Sequence, residues 1–107
     1  MRLTPAEVAR IKAVVTRHFG EAALVRLFGS QVDDSRRGGD VDLVVETAEA
    51  WPADGSGLMR ELRCQSELEA TLGERSAGER RVDLVVQWAS QEAAPIVRIA
   101  RAEGVIL

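Results

Sequence analysis

The sequence predicts an α/β (α+β) domain in which a small mixed β-sheet is flanked by helices. Three observations lead to this prediction. Some segments carry the 3.6-residue apolar period of amphipathic helices, others alternate with the two-residue period of strands, and the two kinds are interspersed along the chain. The 107 residues fit one domain of ordinary size, so a single domain over residues 1–107 is expected.

The first predicted element is a helix with clear start and stop signals. Thr4 is a suitable N-cap, Pro5 suits the first helical position, and Glu7 completes a capping box. Gly20 is the expected stop. The apolar stripe of this helix comprises Val8, Ile11, Val14 and Val15.

Three segments are predicted to be strands, namely residues 24–28, 41–46 and 82–88. The first is a short apolar run that ends abruptly at Gly29, and the other two alternate apolar with polar side chains. The pentamer VDLVV occurs in both alternating segments, which we interpret as two central strands under the same packing constraint rather than as a repeat.

Two further helices are predicted. The first runs from about Leu58 to Leu72 and ends at Gly73, and the second is capped by Ser90 and ends at Gly104. Their expected core-facing residues are Leu58, Leu62, Leu68 and Leu72 in the first, and Ile96, Ile99 and Ala100 in the second. Residues 105–107 are expected to form a short apolar tail.

Composition excludes several classes of protein. The single cysteine, Cys64, has no partner for an internal disulfide, and one His with one Cys does not suffice for a Cys/His zinc site. Any bound metal is therefore expected to be a hard ion with oxygen ligands. The net charge of -3 argues against direct nucleic-acid binding, and no apolar run has the length of a membrane span.

Three aspartates stand in predicted strands or directly before one, where aspartate is disfavoured. Asp40 and Asp42 are two residues apart and so share a face, and Asp83 occupies the other alternating segment. If the two strands are neighbours, the three carboxylates converge into an oxygen-ligand site suited to Mg²⁺. The alternative is that each lies at a strand end, solvated or paired with Arg80 or Arg81.

The second feature with chemical meaning is Gly29-Ser30, directly after the first strand. Glycine lets the backbone approach a ligand closely, and a turn beginning at Ser30 would offer free N–H groups to an anion. Alone, a Gly-Ser pair after a strand is only a turn. The pair indicates a phosphate-binding site only in combination with the aspartates that follow it.

The stretches LFGSQVDDSRRGGDVDLVV and RRVDLVVQ together resemble the signature of the nucleotidyltransferase superfamily related to DNA polymerase beta. In that superfamily a strand ends in Gly-Ser, an Asp-x-Asp strand follows after about ten residues, and a third acidic strand lies downstream. The resemblance spans essentially the whole chain and is closest to the minimal nucleotidyltransferase (MNT) proteins of bacteria and archaea. The ending IVRIARAEGVIL is also similar to that family.

The resemblance implies a set of metal-binding and catalytic residues. Asp40, Asp42 and Asp83 would hold one or two Mg²⁺ ions, with Asp83 also assisting deprotonation of the attacking hydroxyl. Gly29 and Ser30 would bind the phosphates of the nucleotide.

The chain departs from the family after Gly-Ser, where many relatives have Ala-Arg-Gly and this sequence has Gln-Val-Asp. Arg36 or Arg37 is the expected source of the phosphate-facing positive charge, with solvated loop arginines as the alternative. The segment between Gly73 and Arg81 is also longer than in most relatives.

The resemblance further implies transfer of AMP from ATP to a hydroxyl, that of a Tyr, on a helical HEPN-family toxin. The chain would then be the antitoxin of a cytoplasmic pair that forms a hetero-oligomer. Two alternatives stay open: an antitoxin that neutralises its partner by binding alone, and an oligomeric nucleotidyltransferase that acts on a small molecule.

Overall fold

The computed structural model describes residues 3–29, 41–72 and 81–107. Their elements follow in the order α1 (Pro5–Phe19), β1 (Leu24–Phe28), β2 (Val41–Glu46), α2 (Ser56–Leu72), β3 (Val82–Gln87), α3 (Pro95–Glu103) and β4 (Val105–Ile106). The predicted α/β class with a small mixed sheet is confirmed, and the arrangement is consistent with a polymerase beta-like α+β fold.

The four described strands form one sheet in the order β3-β2-β1-β4. β2 and β3 are parallel and in register, whereas β1 is antiparallel to both β2 and β4. The first two strands have the predicted bounds, and the third ends one residue earlier. Of the two VDLVV segments only β2 is central in the described sheet, since β3 lies at its edge. Residues 105–106, predicted as a tail, form β4 because they pair with β1.

The capping residues at the N-terminus of α1 form the predicted capping box. Thr4 Oγ1 accepts from the Glu7 N–H at 3.1 Å, and the Thr4 N–H donates to Glu7 Oε1 at 2.9 Å. Gly20 ends the helix with a φ of 85°, and its N–H donates to the Thr16 carbonyl. Residues Ile11, Val14 and Val15 are buried, as the apolar period requires.

The main core lies between the sheet and the pair α1 and α2. Every second residue of β2 points into it, and Leu43 is fully buried. The other contributions from the sheet and α1 include Val25, Leu27, Val41, Val45, Val82, Ile11, Val15 and Phe19.

The buried stripe of α2 differs from the prediction. Cys64, Leu68 and Leu72 are buried, but Leu58 and Leu62 are 59% and 50% exposed. The buried residues recur at intervals of four along the helix, whereas Leu62 is two residues before Cys64, about 200° around the helix, and Leu58 is on the same row as Leu62. The prediction that those two leucines face the core was therefore wrong.

The start and inward face of α3 also differ from the prediction. The helix begins at Pro95 with Ala94 as N-cap, because proline suits the first helical position and keeps the preceding residue extended. Ser90 Oγ instead accepts from the Trp51 N–H at 3.0 Å. Ala100 faces inward as predicted, but Ile96 and Ile99 are exposed. Val97, one position along from Ile96, is buried together with Ala100.

α3 covers the opposite face of the sheet from α1 and α2. Val97 and Ala100 pack with Val44 in a smaller cluster, against which Phe28 and Val85 are partly buried. No helix within the three described ranges is both long and apolar enough to cross a bilayer.

Candidate functional site

Two of the three predicted aspartates lie side by side. Asp42 and Asp83 are register partners in the parallel ladder between β2 and β3, so they are on the same face of the sheet. Neighbouring strands are about 4.8 Å apart, which brings the two side chains within reach of a common cation. Asp42 is half-buried and Asp83 is exposed, so the pair is open to solvent.

Gly29 lies beside this pair because Phe28, the last residue of β1, is the register partner of Asp42. Its φ is 77°, in the left-handed region that favours glycine. A Cβ at this position would lie 2.5 Å from Asp42 Oδ2, closer than any side chain tolerates. The backbone conformation therefore favours glycine here, and a side chain at this position would displace the Asp42 carboxylate.

The remaining predicted site residues lie outside the described residues. These are Ser30, Arg36, Arg37 and Asp40. Within the three described ranges no three His, Cys, Asp or Glu side chains form a group that could hold a metal ion. The described part of the predicted site consists of Gly29, Asp42 and Asp83.

The alternative interpretation paired the aspartates with nearby arginines. Arg80 lies outside the described residues, and Arg81 is exposed. The carbonyl of Arg81 accepts from the Val41 N–H at 2.9 Å, which aligns the starts of β2 and β3. Within the described ranges no ion pair joins Arg81 to Asp83, and the Asp83 side chain is exposed.

A charged network occupies the other end of the same face. Glu46 pairs with Arg26 of β1 and Arg101 of α3, and the Arg101 Nε–H donates to Glu46 Oε1 at 3.1 Å. The hydrogen bond from Arg101, reinforced by the charges of both arginines, lowers the pKa of Glu46 despite its burial. Sequence analysis did not find this network, because it depends on the register of β1 with β2 and on the docking of α3.

His18 is placed for a structural role. Its Nε2 lies 3.0 Å from Glu67 Oε1, which ties the last turn of α1 to α2. Burial lowers the pKa of His18, and the charges of Arg17, Arg63 and Arg60 lower it further. Since α1 and α2 cover the opposite face from the aspartates, His18 takes no part in their chemistry.

Cys64 and the tryptophans belong to the core side of the sheet. Cys64 is fully buried, and burial raises the pKa of its thiol to about 11. Trp88 is buried and meets Trp51 edge to face, with ring centroids 5.3 Å apart. Its indole N–H donates to Glu61 Oε2 at 3.0 Å. These residues contribute core and core-edge packing.

An open cavity of about 870 Å³ lies between the end of α1 and the start of α2. Its charged lining is largely paired: Arg60 donates to Glu49 at 2.6 Å, and Arg17 forms an ion pair with Glu67, a neighbour of the cavity. The cavity is at the end of the sheet where β1 begins, and Gly29 is at the end where β1 stops. It is separate from the aspartate pair.

Comparisons with known proteins add no relative: no family model matches the chain, and no curated protein matches it significantly. The geometry of the site and the order of motifs in the sequence therefore remain as the indications of function.

Proposed function

We propose that the chain is a Mg²⁺-dependent nucleotidyltransferase that transfers AMP from ATP to a Tyr hydroxyl of a HEPN-family toxin, and thereby acts as an antitoxin in a hetero-oligomer. The observation that carries the proposal is the placement of Asp42 beside Asp83, with Gly29 against the Asp42 carboxylate. The resemblance of the motif order to minimal nucleotidyltransferases supplies the nucleotide, the acceptor and the partner.

The residues at this site suit a magnesium ion. Asp42 and Asp83 offer carboxylate oxygens on one face, and Mg²⁺ typically takes one or two protein carboxylates with substrate phosphates and water in its other positions. The space that a side chain at position 29 would fill adjoins one of these oxygens. When bound, Mg²⁺ would neutralise the charge that develops on the phosphate oxygens during transfer.

The chain's own residues bind and orient the reactants in this proposal. Gly29 lets the backbone approach the triphosphate closely, and the carboxylates of Asp42 and Asp83 would hold the cation that orients it. The acceptor hydroxyl oxygen forms a bond to the α-phosphorus, the bond from that phosphorus to the oxygen bridging to the β-phosphate breaks, and pyrophosphate leaves. The exposed carboxylate of Asp83 receives the hydroxyl proton.

The test is transfer of label from α-labelled ATP to a co-expressed HEPN protein, followed by mass analysis of the acceptor. The wild-type chain should add one or more AMP groups to that protein. Asp42→Asn and Asp83→Asn should each lower transfer by at least about 100-fold, because each removes a charge that positions the triphosphate. Glu21→Gln is the matched control, since this exposed carboxylate lies at the opposite end of β1 and should leave transfer unchanged.

Two results would contradict the proposal. Transfer that persists in both aspartate variants would remove the site from the reaction. A HEPN protein that is neutralised by the wild-type chain but carries no added mass would favour an antitoxin that acts by binding alone.

A further inference from the structure

The open cavity between the end of α1 and the start of α2 has no part in the proposed transfer reaction. Its volume is about 870 Å³, which is within the range of about 300–1,000 Å³ typical of small-molecule sites. Both helices contribute basic side chains to its lining, namely Arg17 and His18 from α1 and Arg60 and Arg63 from α2. We name these four residues the basic cluster.

The packing of α1 against α2 brings the basic cluster together. Arg17 and His18 are in the last turn of α1, and both contact the Glu67 carboxylate of α2. Arg60 and Arg63 are three positions apart on α2, so they lie on the same side of that helix, one turn from each other. The cluster is therefore positioned by two helices that the main core holds in place.

The arginines of α2 retain donors for a ligand. Arg63 is exposed, and no ion pair involves it within the described ranges. Arg60 lies over the Trp88 ring, 5.5 Å from its centroid, and its Nη1 donates to Glu49 at 2.6 Å. A guanidinium carries several N–H donors in a rigid fork, so this single bond orients Arg60 and leaves its other donors for a second acceptor.

The electrostatic potential in the cavity suits an anion. The carboxylates of Glu21 and Glu49 also line it, but three arginines face them. Burial lowers the pKa of His18, and the charges of those arginines lower it further, even though His18 contacts a carboxylate of α2. Positive charge is thus concentrated in one cavity of a chain whose net charge is -3.

We propose that the basic cluster is a second ligand site, at which the phosphate groups of a phosphorylated small molecule bind inside the cavity. Guanidinium groups match phosphate oxygens in geometry as well as in charge, and they bind them without a metal ion. The volume suits a molecule of nucleotide size, and Met59, which is 51% exposed in the lining, offers an apolar contact for the rest of it. The site does not depend on the proposed function, because it uses none of the residues assigned to transfer.

The test is a titration of the metal-free full chain with inorganic pyrophosphate at constant ionic strength. Without a metal ion the aspartate pair repels this probe, so binding reports the basic cluster. His18 is the only histidine of the chain, and its imidazole signals in proton NMR therefore locate the bound probe without an assignment. These signals should shift and saturate, and saturating pyrophosphate should raise the pKa of His18, because a nearby anion favours the charged imidazolium.

Arg63→Gln should weaken the binding of pyrophosphate roughly tenfold, because it removes charge-assisted hydrogen bonds to the probe. Arg98→Gln is the matched control, since it removes the same charge from an exposed arginine of α3, on the other face of the sheet, and should leave the affinity unchanged. Both variants replace exposed side chains and should unfold at the wild-type temperature.

Three results would overturn the inference. They are a wild-type chain whose His18 signals do not saturate, an Arg63→Gln variant that binds like the wild type, and equal weakening by both arginine variants, which would indicate a general effect of net charge. None of them bears on the proposed transfer reaction, which requires Mg²⁺ and the aspartates. Loss of transfer in the aspartate variants would likewise leave this site untouched.

Discussion

The face of the sheet toward α1 and α2 and the face toward α3 are built from alternate residues of the same strands. On the first face β2 presents Leu43, which is fully buried in the main core. On the second it presents Asp42 and Glu46 at either side of Val44, so charge surrounds a small apolar centre. The two-residue period of a strand therefore allows one face to hold the fold together while the other is free to carry chemistry.

The largest expected effect on stability tests whether the two faces of the sheet have these separate roles. Leu43→Ala should lower the free energy of unfolding by about 2–5 kcal/mol, because it leaves a cavity in the main core. Asp83→Asn, one strand away on the other face, should change it by less than about 0.5 kcal/mol, as expected for an exposed side chain. Urea unfolding of both variants provides the measurement. A large loss of stability in Asp83→Asn would mean that the open face also supports the fold.

A smaller effect is expected at Gly29, the residue that follows β1. Gly29 and Gly20 both have a positive φ, at 77° and 85°, but only at Gly29 would a Cβ meet another residue. Alanine at either position should cost about 1–3 kcal/mol in backbone strain, and at Gly29 it should also displace the Asp42 carboxylate.

Binding of Mg²⁺-tripolyphosphate separates these two glycine variants. Gly29→Ala should lose it, since the Asp42 carboxylate is displaced, whereas Gly20→Ala should bind like the wild type. Equal binding by both variants would show that the contact between Gly29 and Asp42 is irrelevant to the site.

The smallest expected loss of stability concerns Glu46, which pairs with two arginines on the face of the sheet that α3 covers. Glu46→Gln should lower the free energy of unfolding at neutral pH by about 2 kcal/mol, because the partly buried Arg26 loses its charged partner. The folded pKa of Glu46 is below its ordinary value of 4.5. Its contribution is therefore complete above that pH and is lost as the pH falls through the folded pKa.

Thermal unfolding of the wild type and the Glu46→Gln variant, measured as a function of pH, tests the direction of this pH dependence. The difference in stability between wild type and variant should shrink as the solution is acidified below pH 4.5. A difference that stays constant over the acid range would show that hydrogen bonding alone, and not the charge of Glu46, holds α3 to the sheet.

Local signals explain what could be predicted from the sequence. The capping box at Thr4 and the bounds of β1 and β2 follow from neighbouring residues, and the structure confirms them. The placement of Asp42 beside Asp83 could be predicted only on condition that their strands pair, since register is a long-range property.

The incorrect predictions of core-facing residues in α2 and α3 have a common physical origin. Leu58, Leu62, Ile96 and Ile99 are apolar at helical spacing, but a helix buries only the row that its docking selects. That docking is set by partners distant in sequence, such as Glu46 for α3. β4 was missed because two residues are too few for an alternating pattern to show.

The buried sulfur atom of Cys64 gives the molecule an internal reporter. A thiol of raised pKa that is shielded by the helix layer does not react with alkylating reagents while the fold is closed. Its rate of alkylation therefore measures how often α2 separates from the sheet, without any added label. Because ligands on the far side of the sheet would leave the thiol untouched, slower alkylation on adding a nucleotide would report stabilisation of the whole domain.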